Sequence, residues 1–187
     1  MPRAIVATRH LTAFACACAL LIFAGAPAFP QVGPIEDSPR PPCIETQPSE
    51  VVSAWGLPVV SGQAGHDANE ARAHPLLLGK PNKVSLVMRD STHFPAAPGG
   101  AEQPKQYIYA GVMAFHVAKD GTFRVVTDEG MRMDVVVGGK LVDSTAFGRG
   151  PNCSGKFVDF GLHAGDALLQ VVGAPYETVT VLIIPNP

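Results

Sequence analysis

The sequence predicts an all-β fold, an antiparallel β-sandwich of the jelly-roll type that follows a signal peptide and a proline-rich arm. Between Tyr107 and Pro185, six short segments alternate apolar and polar residues, and glycine-bearing turns separate them. A period of two places every second side chain on one face, which is typical of half-buried antiparallel strands. Hydrophobic residues make up 47% of the chain and charged residues 16%. This composition favours a folded chain over a disordered one.

The alternation also predicts which side chains face the core. Within each segment, the apolar residues two positions apart share a face and are expected to pack against the opposite sheet. These residues are Tyr109, Met113, Phe115, Val117, Phe123, Val125, Met131, Met133, Val135, Val137, Val158, Phe160, Leu162, Leu169, Val171, Val179, Val181 and Ile183.

Residues 1–28 have the pattern of an export signal. Arg3 and Arg9 form a positively charged start, an apolar run covers residues 11–25, and residues 26–28 form an A-x-A cleavage site. This order is that of a secretory signal peptide. The alternative is an uncleaved leader, which would then be the only contact of the protein with a membrane. We expect a periplasmic or secreted protein.

Two further regions follow the leader. Residues 29–50 contain six prolines and are predicted to be an extended arm or linker, because proline fixes φ and removes a backbone donor. Residues 51–187 are predicted to form the β-sandwich domain. Trp55 is expected in the core, residues 64–74 are expected to form a helical turn, and Val84 to Met88 the first strand.

Turn residues predict how the strands connect. Gly138-Gly139 is the strongest two-residue hairpin signal, and residues 119–121 are predicted to form a three-residue hairpin. Residues 163–166 and 174–176 are predicted to close two more turns. Two long loops, residues 89–106 and 143–154, are predicted to carry recognition. The candidate binding residues in these loops are Arg89, His93, Phe94, Arg149 and Asn152.

Cysteine use predicts one disulfide. Only Cys43 and Cys153 remain after residue 28, and an exported protein folds in an oxidising compartment. We expect them to form one intramolecular bridge between the arm and the loop after Gly150. Two free thiols, or a bridge between chains, are the alternatives.

A second pattern concerns metal binding. His66, Glu70 and His74 are spaced four residues apart, so that on a helix they would share one face, and His93 is a further candidate. The spacing is not that of H-E-x-x-H, and a solvated polar turn is the favoured interpretation. The prediction is therefore no cofactor, with a divalent metal at these four residues as the alternative.

Several other chemistries are disfavoured by the sequence. Residues 150–156 match G-x-x-x-x-G-K, but Phe157 stands where a phosphate loop needs Ser or Thr, so no nucleotide is expected. No G-x-S-x-G nucleophile motif is present. The formal charge is −2, or −4 with 12 basic and 16 acidic residues after residue 28, and no basic run is present. This balance gives no reason to expect nucleic-acid binding.

The order of short strand motifs points to a family. In sequence they are Phe115-His116-Val117, Gly121-Thr122-Phe123-Arg124-Val125, Asp134-Val135-Val136, residues 156–162, Gly165-Asp166 and Leu169-Gln170-Val171. This order resembles the bacterial pre-peptidase C-terminal type of β-sandwich, and the resemblance covers roughly residues 107–185. It implies the fold and leaves the function open, since the motifs are structural.

A second resemblance involves the loop that precedes Cys153. With its Gly-Arg-Gly-Pro run at 148–151 and Lys156 beyond, the chain resembles uncharacterised small exported proteins of proteobacteria. Some of these carry a homogentisate 1,2-dioxygenase label, which would imply a metal-dependent oxygenase. A cupin-type site needs two closely spaced His on a strand, and this sequence contains no H-x-H.

The function predicted from these observations is that of an exported, non-catalytic β-sandwich that acts as a binding or accessory module of the cell envelope. Its partner would be an envelope protein or a saccharide. The alternative is a metal-dependent, oxygenase-like enzyme that uses the His/Glu cluster. A third possibility is an assembly role in which an exposed edge strand pairs with a partner chain.

Overall fold

Two β-sheets stacked face to face form the fold. The computed structural model describes residues 46–100, 103–153 and 155–186, which belong to one compact unit, Pro41–Pro187. The leader and most of the proline-rich arm lie outside the described residues. None of the described helices is long and apolar enough to cross a membrane.

Two short helices and eleven strands make up the described chain. In chain order they are α1 (Ser49–Trp55), β1 (Val60–Gln63), α2 (Ala68–Ala73), β2 (Asn82–Ser85), β3 (Val87–Met88), β4 (Tyr109–Val117), β5 (Gly121–Thr127), β6 (Met133–Val137), β7 (Lys140–Val142), β8 (Ser144–Gly148), β9 (Lys156–Leu162), β10 (Gly165–Ala174) and β11 (Thr178–Pro185). Short 3-10 turns occupy Arg89–Ser91 and Pro151–Cys153.

One sheet has six strands in the order β1-β2-β11-β5-β9-β8, and the other has five in the order β3-β4-β10-β6-β7. Neighbouring strands run antiparallel, except that β1 and β2 are parallel. The predicted all-β antiparallel sandwich is thus confirmed.

The core lies between the sheets and contains the side chains that alternation assigned to it. Both sheets contribute large buried residues, among them Met113, Phe115, Phe160, Leu169 and Ile183. Val137 is an exception, because it ends β6 beside the Gly138-Gly139 turn and is 42% exposed. Tyr109 is only partly buried, although it packs against the same cluster.

Each sheet also buries part of its outer face under a short helix. On the six-stranded sheet, Val51 and Ala54 of α1 pack on Val126 and Leu182. Trp55 is half-buried in this outer cluster, so its expected place in the central core is wrong. The helix predicted within residues 64–74 is confirmed as α2, which packs on the five-stranded sheet.

The turn predictions have mixed outcomes. Gly138-Gly139 does form the hairpin between β6 and β7, and both glycines have the positive φ that a two-residue turn of this kind requires, 58° and 77°. Residues 119–121 do not form a hairpin, because β4 and β5 belong to different sheets. Residues 163–166 and 174–176 likewise lead from one sheet to the other.

Two predicted boundaries also require correction. The single strand expected from Val84 to Met88 is divided at Leu86 into β2 and β3, which belong to different sheets. The loop expected at 143–154 does cross between sheets at Asp143, but its next five residues form strand β8. In both regions the chain changes sheet within one or two residues, which leaves no separate turn motif in the sequence.

Candidate ligand-binding face

The outer face of the five-stranded sheet, which we call the ligand face, holds the candidate site. Register places Ala114, Leu168 and Val136 side by side across β4, β10 and β6. The next row outward in the same register contains Gln170 and Asp134. Helix α2, Phe94 and Ala96 pack on part of the first row, and a cleft opens on either side of this cover.

An arginine–aspartate pair organises one end of the ligand face. Arg132 Nη2 donates to Asp134 Oδ1 at 3.1 Å, and its Nε donates to Asp134 Oδ2 at 3.3 Å. The side chains are 24% and 12% exposed. Arg132 immediately precedes β6, and its carbonyl accepts from the Val172 N–H, so it continues the strand and lies on the same face as Asp134. The guanidinium is therefore held in place while part of it remains accessible.

The tip of the 89–106 loop closes over this pair. The Gly99 N–H donates to Asp134 Oδ2 at 3.4 Å, and a Cβ on Gly99 would lie only 2.7 Å from Arg132 Nη2. Gly100 has a φ of 66°, and a Cβ there would lie still closer to the guanidinium. A Cβ at either position would press on the end of the Arg132 side chain, so the guanidinium that the loop packs on would have to shift.

A cleft of about 410 Å³ lies beside this contact, and we call it the loop cleft. Two arginines, Arg89 and Arg132, border it, and Phe94 provides an aromatic wall. The remaining lining residues are Pro98, Gly99, Gly100, Gln103 and Val172. The structure therefore brings together two of the predicted binding residues, Arg89 and Phe94.

An irregularity in β10 shapes the floor of the loop cleft. The pairing of β10 with β4 shifts between Val171 and Ala174, and Gly173 has a φ of 81°. A Cβ at Gly173 would lie 3.0 Å from Gln103 Cβ, so the loop packs directly on this bulge. Bulges bend a strand and change the direction of its side chains, and they are frequent next to binding sites.

A second opening, which we call the helix cleft, lies at the other end of the ligand face and has a volume of about 460 Å³. Ala114, Val136 and Leu168 contribute an apolar floor, and Arg72 of α2 lies at its border. His116 and Asp166 line the same opening, with His116 Nδ1 and Asp166 Oδ1 at 2.8 Å.

One buried polar group under the cover has an incomplete set of partners. Gln170 is fully buried, and its Nε2 donates to Asp134 Oδ2 at 3.3 Å. Its Oε1 has no hydrogen-bond partner among the described residues. A buried acceptor without a partner lowers the stability of the folded state. Gln170 is therefore a polar group that packing alone does not explain.

The metal alternative required His66, Glu70 and His74 to share one helix face, and they do not. Helix α2 covers only Ala68–Ala73, with Asp67 as its N-cap, so His66 and His74 lie outside it and share no helix face with Glu70. His66 Nδ1 and Glu70 Oε2 form a pair at 2.8 Å, and the His93 N–H donates to the His66 carbonyl.

His74 borders a different cleft beside β1. Within residues 46–100, 103–153 and 155–186, no group of three or more His, Cys, Asp and Glu side chains is arranged to hold a metal ion. The helical geometry on which the metal alternative depended is therefore wrong, since the helix is two residues too short at its start and one at its end.

The remaining predicted residues lie elsewhere. Arg149 directly follows β8, and Asn152 lies in the 3-10 turn with a φ of 55°. Both residues are next to the six-stranded sheet and away from the ligand face. Cys43 is outside the described residues, so its bridge to Cys153 stays a prediction. Gln47 Nε2 does donate to the Arg149 carbonyl at 2.8 Å, which brings the chain after Cys43 close to the chain before Cys153.

Sequence reasoning missed Arg132, Gln103 and the helix cleft. The R-x-D spacing of Arg132 and Asp134 within an apolar strand was an available signal, because a charged pair on one strand face either contacts solvent or organises a covering loop. No protein-family model matches the chain, and no curated protein matches its sequence.

Proposed function

We propose that the chain is an exported binding module that holds an anionic ligand with an apolar body in the loop cleft. The observation that carries this proposal is the meeting of Arg89, Arg132 and Phe94 at one cleft of about 410 Å³. The export signal and the envelope location are expectations from the sequence, and they define where such a ligand would be found.

The charge of the loop cleft favours an anion. Asp134 neutralises Arg132, whereas Arg89 makes only a 3.5 Å contact to the Pro104 carbonyl. No acidic side chain among the described residues pairs with Arg89. Among its described lining residues the cleft thus has one positive charge in excess, and guanidinium groups bind carboxylates in two-pronged geometry.

The other lining groups favour a ligand that also has an apolar part. Phe94, Pro98 and Val172 offer packing surface, and the polar side chain of Gln103 lines the same cleft. Small-molecule sites generally combine apolar walls with a few polar groups that fix the ligand's orientation. An aromatic acid, or a uronic acid of an envelope saccharide, has this combination of groups.

The lining is better suited to binding than to catalysis. Its described side chains are arginines, an amide and apolar groups, which hold a ligand by charge and packing. General acid–base or nucleophilic catalysis needs a group that titrates near neutral pH or an activated nucleophile. We therefore assign the cleft a binding role.

A titration with a matched pair of small molecules tests the proposal. Phenylacetate and phenylacetamide have nearly the same shape and differ in charge, so the cleft should bind the carboxylate more tightly. In Arg89→Gln, the affinity for phenylacetate should fall by about tenfold, because a hydrogen bond between charged groups is lost. Calorimetry or chemical-shift titration of the mature protein measures both effects.

Arg72→Gln is the matched control, since Arg72 is an exposed arginine at the helix cleft of the same sheet face. This variant should bind phenylacetate as the parent protein does. The proposal is wrong if a panel of aromatic and sugar acids shows no binding, or if Arg72→Gln and Arg89→Gln weaken binding equally. Stoichiometric metal that is lost in His66→Ala/His74→Ala would favour the enzyme alternative instead.

A further inference from the structure

Strand β8 is an edge of the six-stranded sheet that carries few of the usual protections. It pairs with β9 on one side, and no strand pairs with its other side in the described part of the chain. Its five residues, Ser144–Gly148, contain no charge and no proline, and four of them are exposed. Edges without charges or proline are templates for pairing with another strand.

Phe147 gives this edge an apolar anchor. It is 75% exposed, the largest exposed fraction of any large hydrophobic side chain in the described residues. Register places it opposite Val158, whose side chain is buried in the core, so Phe147 lies on the inner face of its sheet. Its orientation is therefore that of a core side chain, but it stays exposed among the described residues.

The missing cover is visible as a cleft between the two sheets. This cleft has a volume of about 280 Å³, and it is lined by Phe147 and by the core residues Met133, Val158 and Phe160. Leu141, which is 38% exposed on the opposite edge strand β7, borders the same opening. In the described part of the chain, one side of the sandwich is thus open at the β7/β8 edge.

We propose that a second copy of this chain covers the edge, through antiparallel pairing of β8 with β8 of the other copy. A twofold axis at Ala146 would place Asp143 of one copy opposite Arg149 of the other, and the reverse pair follows from symmetry. Both residues are exposed, and neither has an ion-pair partner among the described residues. The two unlike charges at the ends of a neutral strand make it complementary to itself.

This pairing also buries the apolar anchors. It would extend the six-stranded sheet into a continuous sheet across both copies and bring the two Phe147 rings together on its inner face. Each ring would then lie over the cleft that its own copy leaves open. An unrelated partner strand could use the backbone edge, but it would have no reason to present the Asp143 and Arg149 charges in this register.

The register shift between Ser144 and Ala146 limits the strength of the interface. A bulge at this point increases the local twist and shortens the stretch that can pair. We therefore expect weak, concentration-dependent association, because the area buried between the copies would be at the small end of the usual range for interfaces.

Charge exchange across the predicted axis tests this proposal. Sedimentation velocity of the mature protein should show a monomer–dimer equilibrium. Arg149→Asp should raise the dissociation constant by about tenfold or more, because it places two like charges opposite each other. Asp143→Arg should have a similar effect, and the double variant Asp143→Arg/Arg149→Asp should restore association.

The double variant separates a paired interface from general destabilisation, since a folding defect would not be repaired by the second change. Phe147→Ser should abolish association while circular dichroism shows an unchanged sheet. The proposal is wrong if the protein is monomeric at all concentrations, or if it dimerises equally in the parent and the single variants. It is also wrong if the double variant fails to associate.

Discussion

The two outer faces of the sandwich each carry an arginine–aspartate pair, and the pairs differ in how completely they are enclosed. On the six-stranded sheet, Arg124 Nε and Nη2 donate to the two carboxylate oxygens of Asp159, both at 2.8 Å, with side chains 10% and 5% exposed. On the ligand face, the corresponding contacts of Arg132 with Asp134 are 3.1 and 3.3 Å, and the arginine is 24% exposed.

The neighbours of the pairs explain the difference. Arg124 also donates to Gln47 Oε1 at 2.7 Å and lies 3.9 Å above the Phe157 ring, and Asn186 Nδ2 donates to Asp159. Both ends of the domain thus complete one polar network. Among the residues that the structure describes, a loop tip and Gln170 complete the Arg132 pair. The face with the Arg124–Asp159 pair is thus closed by both ends of the domain, whereas the face covered by one loop keeps the cleft in which we propose that a ligand binds.

The largest expected effect concerns the predicted disulfide, which would fasten the chain near Gln47 to the closed face. A bridge between Cys43 and Cys153 closes a loop of about 110 residues, so its loss should lower the free energy of unfolding by about 4–5 kcal/mol. Denaturant unfolding of the parent with and without reductant measures this, with Cys43→Ser/Cys153→Ser as the control that reductant should not affect. Uptake of two thiol labels by non-reduced protein would contradict the bridge.

The next effect compares the two aspartates directly. Asp159→Ala leaves a buried guanidinium without its counter-charge, which should cost about 3–5 kcal/mol. Asp134→Ala leaves an arginine that can reach water, so the cost should be about 1–2 kcal/mol. Equal losses in the two variants, measured by denaturant unfolding, would contradict the distinction between a closed and an open face.

The alternating core was predictable because it depends only on neighbours in sequence. Period two assigns Phe115 and Phe160 to the interior. The Gly138-Gly139 pair predicts a turn, because glycine readily adopts the positive φ that both residues have. The sheet to which a strand belongs is a non-local property. Residues 119–121 look like a hairpin turn, but packing of β5 against β9 and β11 takes the chain to the other sheet.

The candidate site was predictable only in part, for the same reason. Arg89 and Phe94 were found because they lie in a long loop, which is a local signal. Arg132 was not found, because its role depends on that loop folding back over β6. The metal pattern failed at the helix boundary, where Asp67 accepts the N–H groups of Asn69 and Glu70 and so starts the helix after His66.

A smaller effect tests whether the loop tip controls the open face. Gly79 and Gly100 both have positive φ, but only Gly100 lies against the Arg132 guanidinium. Gly79→Ala should cost about 1 kcal/mol from backbone conformation alone. Gly100→Ala should cost about 1–2 kcal/mol more from the steric conflict, and it should also weaken phenylacetate binding. Similar losses in both variants, with binding unchanged in each, would contradict this role of the loop tip.

The smallest effect concerns acid, and it should loosen the cover of the ligand face first. The Glu70 and Asn69 N–H groups hold the pKa of Asp67 below its ordinary value of 3.8, and the N–H and side chain of His66 lower the pKa of Glu70 below 4.5. Both carboxylates support α2, whereas α1 has Pro48 as its N-cap and no side-chain cap.

A lowered pKa means that the folded state binds fewer protons than the unfolded one, so the stabilisation is complete above the ordinary pKa values. It is lost as the pH falls through the lowered values, below about pH 4. Hydrogen exchange, corrected for the intrinsic effect of pH, should therefore show α2 losing protection at a higher pH than α1. Asp67→Asn keeps a capping side chain but removes its charge, so the pH dependence of α2 should weaken in this variant. If α1 opens at the same pH as α2, the two faces do not differ in how their covers are held.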